Sequence, residues 1–428
     1  MLDVYNHELR LRADPSRVVV RPFHLAWQAQ GPTPSRTERL VKEVLEMDDA
    51  TAQDQLEAVL KDFEQRHWQT RRVFMTRYEQ LEAQIPFLDD DDIGDTKRQL
   101  IGAYFCHEYS YAAAALMNPS VVPHFDQSGM PKGAQRFLIS LRAVGEGHIS
   151  TVAFREGIIT DKGDLTLAPE PPFATAADAE GDEEEIPEGP VEVFRHPDST
   201  LSGTVIFPIT PAQKNGLEDL RLVKFTHDDG AVEWIGTYTA YSGREIQSEL
   251  MRTKDFRRFD LIPLKGAAAR NKGMALFPRK VDGSYMMIGR QDGENLFLLK
   301  SDALDHWEDG ERILQPVYPW ELVQIGNCGP PIELDEGWLL LTHGVGAMRK
   351  YSIGAVLLDK QDPSKVLART SDPVLAAVNQ DREGYVPNVV YTCGAMKHGE
   401  TIFMPYGIAD SSVAFASVPI PALLELMK

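Results

Sequence analysis

The sequence predicts a helical N-terminal segment followed by an all-β domain. Three observations carry this. Apolar residues recur at helical spacing up to Leu81, short β-rich segments separated by turn residues follow Pro119, and a turn-plus-aromatic unit reappears after about 50 residues. Helices first and strands afterwards argue against an alternating α/β chain.

Between Pro34 and Leu81 the apolar positions are Leu40, Val41, Val44 and Leu45, then Leu56, Val59, Leu60 and Phe63, then Val73, Phe74 and Leu81. That spacing predicts two or three amphipathic helices. The acidic run Asp89 to Asp92 breaks the pattern and reads as a solvated loop. Asp95-Thr96 can cap a further helix running to Met117 and stopping at Asn118-Pro119. The N-terminal segment is therefore taken as residues 1–118. Its apolar stripes need a partner surface, and self-association into a homo-oligomer is expected of it.

From residue 119 to 428 the texture is β. Arg136 to Val144, His148 to Phe154, Trp234 to Tyr241, Tyr285 to Ile288 and Trp338 to His343 are predicted strands. Residues 168–190, rich in Pro, Ala and acid, are expected to form a mobile surface loop rather than a domain boundary. Thr253 to Phe259 and Ser301 to Trp307 each follow a β segment and precede another, as the blades of a propeller would.

Composition narrows the function. Of 428 residues 64 are acidic and 44 basic, a net charge of -20, so a nucleic-acid backbone would be repelled. Cys106, Cys328 and Cys393 are too few for a disulfide framework and none stands in a CxxC spacing, so no metal site is expected. The N-terminus lacks the apolar core of a signal peptide, and no apolar run reaches the roughly 20 residues that span a bilayer. A cytoplasmic protein without a membrane partner is the expectation.

Three segments carry candidate chemistry. Gly216-Leu217-Glu218-Asp219-Leu220-Arg221 brings two carboxylates and a guanidinium into one turn, although such a hexapeptide is more often a salt-bridged turn, and neighbours on a strand point to opposite faces. Asn271 to Pro278 and Arg290 to Asn295 flank a short strand, so Lys272 and Arg290 can meet at one mouth and suit an anion such as phosphate; an ordinary exposed hairpin would look the same. His343 precedes Gly344 and Gly346, which would let a ligand approach the backbone, though a lone His is more often structural.

Taken together these segments resemble glycoside hydrolase family 130, the inverting β-mannoside phosphorylases and mannosidases. The likeness rests also on Tyr238 to Tyr241, Gly337 to Val345, Tyr351 to Asp359, Asp362 to Val366, Gly384 to Tyr391 and Pro405 to Asp410, in the family's order. It runs from roughly Leu201 to the C-terminus, and Ala115 to Arg155, with Gly145 to Ser150, looks like the start of the propeller in members that carry a helical extension.

What the resemblance implies is a five-bladed β-propeller with its site in the central pocket. Asp219 takes the role of general acid, protonating the glycosidic oxygen through a sugar hydroxyl while phosphate or water attacks from the opposite face. Lys272, Arg290, His343 and Tyr351 fall at the phosphate side, and Glu218, Arg221, Tyr238, Asn271 and Asp410 at the sugar. No cofactor is implied beyond inorganic phosphate as co-substrate.

The chain also departs from the family. Its usual Glu-Asp-Pro-Arg reads Glu218-Asp219-Leu220-Arg221, Glu333 stands where many phosphorylases carry a cation, and Asp292 and Glu294 follow Arg290 where proline is common. The implied activity is cleavage of β-mannosidic linkages, expected to be those of β-1,2-manno-oligosaccharides, with phosphorolysis to mannose 1-phosphate favoured. The alternatives are a β-mannosidase using Glu333 or Asp292 as base, and a non-catalytic glycan-binding propeller.

Overall fold

A computed structural model describes residues 3–25, 35–85, 88, 92–179, 189–378 and 381–427. The chain divides into two compact units. One comprises residues 16–110 with 171–176, the other residues 1–15, 111–170 and 177–428.

The smaller unit holds the helices Arg36–Glu46, Asp49–Phe63, Thr70–Glu82 and Asp95–Tyr104. A capping box starts the first: the Glu38 amide donates to Ser35 Oγ at 3.1 Å, and the Ser35 amide donates to Glu38 Oε2 at 2.9 Å. Asp48 caps the second by accepting from the Thr51 amide at 2.8 Å. The apolar stripes meet in a core of Val41, Val44, Tyr78, Leu81, Leu100 and Phe105. Gly102 permits a close helix contact, because a Cβ there would lie 1.9 Å from the Phe74 carbonyl oxygen. No described helix is long and apolar enough to cross a membrane.

The expected helix from Asp95 to Met117 is shorter in fact. It ends at Tyr104, Cys106–Ser110 pairs antiparallel with Val18–Pro22, and Ala115–Pro123 is a strand in the other unit. Eight of the nine residues of Ala115–Pro123 are buried. A strand covered on both faces shows a continuous apolar run, which periodicity cannot tell from a buried helix. Pro119 sits in that strand at a register shift between Met117 and Ser120, where a missing N–H is tolerated. Asp89 to Asp91 and Pro34 lie outside the described residues.

Among the described residues of the larger unit, antiparallel meanders follow one another. The first is built on Ala115–Pro123, Gln135–Val144, Ser150–Ile159 and Leu165–Leu167. Next comes Gly216–Thr226 with Val232–Tyr241, Ile246–Thr253 and Arg258–Pro263, joined to the first through a parallel pairing of Gly216 with Ser150. Ala275–Leu276, Tyr285–Gly289, Leu296–Ser301 and Glu311–Leu314 make a third. Gln324–Asn327, Trp338–Val345, Tyr351–Leu358 and Val366–Arg369 make a fourth.

In the last sheet Val390–Tyr391 and Thr401–Ile408 are followed by Ser412–Pro419, and the outer partner comes from the far end of the chain: Tyr5 pairs with Ser417 and Asn6 with Ala416. Phe256 and Trp307 are fully buried in the turns between the third and fourth strands of their meanders, and Phe259, also fully buried, lies in the fourth strand. Within the predicted loop 168–190, Asp178–Ala179 pairs with Val193 and Phe194, while residues 180–188 lie outside the described residues.

Candidate active site

The Gly216–Thr226 strand explains how two adjacent carboxylates come to share one face. Its pairing with Val232–Tyr241 slips between Glu218 and Arg221, and Asp219 takes φ 58°, a left-handed conformation that Asp tolerates better than most residues. The bulge turns both side chains onto Arg142, whose Nη2 donates to Glu218 Oε1 at 2.6 Å and Nη1 to Asp219 Oδ1 at 3.3 Å. A second left-handed residue, Asn118 at φ 48°, donates from Nδ2 to the same Asp219 oxygen at 2.6 Å. Ser150 Oγ steadies Arg142 by accepting from its Nε at 2.8 Å.

Charge separates the carboxyls. Burial alone would raise Asp219, but the Arg142 and Arg221 guanidiniums, the Asn118 amide and the Lys272 ammonium together hold it at about 2. Asp410, at φ 50° on the turn after Thr401–Ile408, moves the other way, to about 6, through burial and then the charge of Asp219. Glu218 is also raised, first by burial and then by Asp219, against the pull of Arg142. One carboxylate stays ionised while its neighbours favour a proton, the pattern of groups that exchange one.

A second group of side chains centres on Arg290. Arg290 lies between two glycines: a Cβ on Gly273 would fall 2.7 Å from its Nε, and one on Gly326 would fall 2.7 Å from its Cδ and 2.3 Å from His343 Cε1. Arg290 Nη1 lies 3.2 Å from His343 Nε2, so the imidazole accepts there. Burial first, and then the charges of Arg290 and Arg221, hold His343 well below its usual range and keep it neutral. Tyr351 stacks on the His343 ring at 5.9 Å. Asn271 ties the Lys272 loop to this group by donating to the Gln291 carbonyl at 2.6 Å.

Several polar atoms here are buried without a protein partner: Arg290 Nε and both ends of the Gln291 and Asn327 amides. Buried polar groups are nearly always satisfied, and the donors among these atoms, Arg290 Nε and the two amide nitrogens, suit a small anion. Among the described residues no group of three or more His, Cys, Asp or Glu side chains is arranged to hold a metal ion.

A family profile described as β-1,4-mannooligosaccharide phosphorylase, that of glycoside hydrolase family 130, matches residues 194–428, more than half of the chain. The chain belongs to glycoside hydrolase family 130. It is 36% identical over 214 residues to a 1,2-β-oligomannan phosphorylase of Thermoanaerobacter sp. (strain X514), spanning 48% of this chain and 69% of that protein. It is 31% identical over 233 residues to a β-1,2-mannobiose phosphorylase of Listeria innocua, spanning 52% of this chain and 63% of that one. A solved glycosyl hydrolase from Bacteroides ovatus superposes with a TM-score of 0.51 at 19% identity, over 72% of this chain and 85% of its own; at that identity the likeness speaks for the fold. The chain is therefore a carbohydrate-active enzyme of family 130, with an all-β-dominated fold.

Most of the residues singled out from the sequence cluster as described, but three do not. Tyr238 is 1% exposed in the apolar core, where its hydroxyl donates to Glu249 and accepts from Gln213 at 3.0 Å, so no face is left for a sugar. Glu333 is gripped by Arg279 at 2.8 and 3.0 Å, with Lys360 at 3.5 Å. It pairs opposite Trp338, five residues along the strand from His343, which is about 17 Å. Asp292 is exposed and closes its own turn, accepting from the Glu294 and Asn295 amides and from Asn295 Nδ2 at 2.7 Å. Its neighbour Gln291 points inward instead.

Sequence reading missed Asn118, Arg142, Gln291, Asn327 and Tyr391. Asn118 and Arg142 fall outside the stretch that the family profile matches. Arg142 did leave a signal: it is the one charge between Phe137 and Val144 in a strand that is otherwise almost wholly buried.

Proposed function

We propose that this family 130 enzyme cleaves β-mannosidic linkages by phosphorolysis, with inversion, on a five-bladed β-propeller formed by the successive meanders and closed by the N-terminal strand. The observation that carries the reading is the pairing of a carboxyl cluster around Arg142, made of Glu218, Asp219 and Asp410, with the Arg290 guanidinium and the neutral His343 ring beside it. The names of the similar proteins, phosphorylases of β-1,2- and β-1,4-linked mannosides, support the substrate class.

Asp219 is the general acid and passes its proton to the glycosidic oxygen through a sugar hydroxyl, while phosphate held by Arg290, Lys272 and His343 attacks the anomeric carbon from the opposite face. In the free enzyme Asp219 is ionised because cations surround it. Lys272 is one of them, so a bound phosphate offsets part of the field and lets the carboxyl take the proton that Asp410 and Glu218 favour. Tyr351 and the buried amides of Gln291 and Asn327 complete the anion side.

Phosphorolysis is favoured over hydrolysis because both carboxylates considered as a base for water are engaged elsewhere: Glu333 by Arg279 and Lys360, Asp292 in its own turn. The test is incubation with β-1,2-manno-oligosaccharides with and without phosphate. Mannose 1-phosphate formed only with phosphate is expected; free mannose released at an undiminished rate without phosphate would sink the reading.

A further inference from the structure

Arg221 is 1% exposed, yet among the described residues its guanidinium is hydrogen-bonded to no carboxylate oxygen. It donates from Nε to the Cys328 carbonyl at 3.0 Å, from Nη1 to the Asp219 carbonyl at 3.2 Å and from Nη2 to the Tyr391 hydroxyl at 2.7 Å. The middle contact grips the backbone of the residue whose left-handed φ of 58° aims the acid at Arg142 and Asn118. A long buried side chain holds such a backbone only as well as it is itself held, and the shortest of its three bonds goes to Tyr391.

Tyr391 also reaches the anion side. Its ring meets the His343 ring edge-on at 4.8 Å, and His343 in turn sits against Arg290. One side chain thus touches both halves of the site through chemically distinct parts, a hydroxyl toward the acid and an aromatic face toward the anion slot.

We infer that Tyr391 is a positioning residue with two functions: its hydroxyl, through Arg221, sets the placement of Asp219, and its ring, through His343, sets the Arg290 slot. The inference rests on the reading of Asp219 as the acid and of Arg290 as the anion holder. It makes the two functions separable by substitution, since Phe keeps the ring and Leu keeps neither.

The experiment is steady-state phosphorolysis by the full chain and its Tyr391→Phe and Tyr391→Leu variants, with thermal melts to establish folding. A misplaced catalytic group can cost about 100-fold in rate, so Tyr391→Phe should lower kcat on manno-oligosaccharides on that scale while leaving KM for phosphate unchanged. Tyr391→Leu should show the same fall and also raise KM for phosphate. An aryl β-mannoside, whose phenolate departs without protonation, should recover most of the rate lost by Tyr391→Phe.

Wild-type kcat in Tyr391→Phe, an equal loss on aryl and sugar leaving groups, or an equal rise in phosphate KM in both variants each overturns the inference. If Tyr391→Phe does not fold, Arg221→Lys carries the same test, because an ammonium keeps the charge but cannot span the three acceptors; it too must spare the aryl substrate, or the inference fails. A wild-type chain that makes no mannose 1-phosphate would instead overturn the proposed function. An active wild type with an unaffected Tyr391→Phe removes only this inference.

Discussion

At the scale of single residues, two aspartates near one arginine behave oppositely, and both can be tested. Asp219→Asn keeps the shape and the Arg142 contact but cannot give up a proton, so turnover should drop by about 100- to 10,000-fold with the circular dichroism unchanged. Near wild-type turnover in a folded variant would remove Asp219 as the acid. Asp410 concerns stability. Its carboxyl rises from 3.8 in the unfolded chain to about 6 in the folded one, so the folded state binds the proton more tightly. Stability is therefore lost as pH rises from about 4 through 6, and above that the buried charge costs on the order of 3 kcal/mol. Asp410→Asn removes the charge, and should raise Tm at pH 7.5 while losing that advantage near pH 4. A pH-independent difference in Tm would contradict the assignment. Asp219, held low at about 2, has the opposite sign: its contribution is complete above pH 4 and is lost as pH falls toward 2.

At the scale of elements, the site is made by irregularities in otherwise regular strands. Two bulges, at Asn118 and Asp219, aim polar side chains that a regular pleat would send to opposite faces. The anion slot depends on what is missing from its walls. At Gly326 an added Cβ would meet both Arg290 and His343, and the backbone there is not left-handed, so Gly326→Ala is a purely steric probe. Charge-assisted hydrogen bonds are worth about 1.5–3 kcal/mol, so displacing Arg290 should raise KM for phosphate by about 10- to 100-fold while KM for the mannoside moves little. Phosphate kinetics like those of the wild type would show that Arg290 does not hold the anion. The same scale explains why the helix expected to run to Met117 stops at Tyr104: Ala115 to Met117 open a strand whose two faces are both covered, so their apolar run carries no strand alternation.

At the scale of the whole molecule, the last sheet is completed from the other end of the chain. Tyr5–Asn6 and Leu11–Arg12 pair with Ser412–Pro419, the His7 amide donates to the Phe415 carbonyl at 2.9 Å, and the His7 ring lies 2.9 Å from Ser417 Oγ. Removing residues 3–12 would strip a partner from that strand and leave an open edge. The expected outcome is a lower Tm and aggregation on heating, measured by calorimetry with light scattering, although residues 3–12 hold none of the site. An unchanged Tm would show that this pairing contributes nothing to holding the last sheet.

What the sequence by itself determined was the order of helices and strands and most of the charged residues at the site, Arg142 excepted, because periodicity and turn chemistry are local properties written residue by residue. Asp219, Arg290 and His343 were visible as types in suitable loops. Which carboxylates face the slot was decided only by the tertiary structure. Glu333, Asp292 and Tyr238 had the right chemistry in the right segments, but a strand pairing, a turn and a core contact turned them away. Asn118, Arg142 and Tyr391 joined the site through contacts 76 to 170 residues apart. Such contacts depend on register and bulges, where one residue of slip reverses the face a side chain occupies, and no local pattern in the sequence records them.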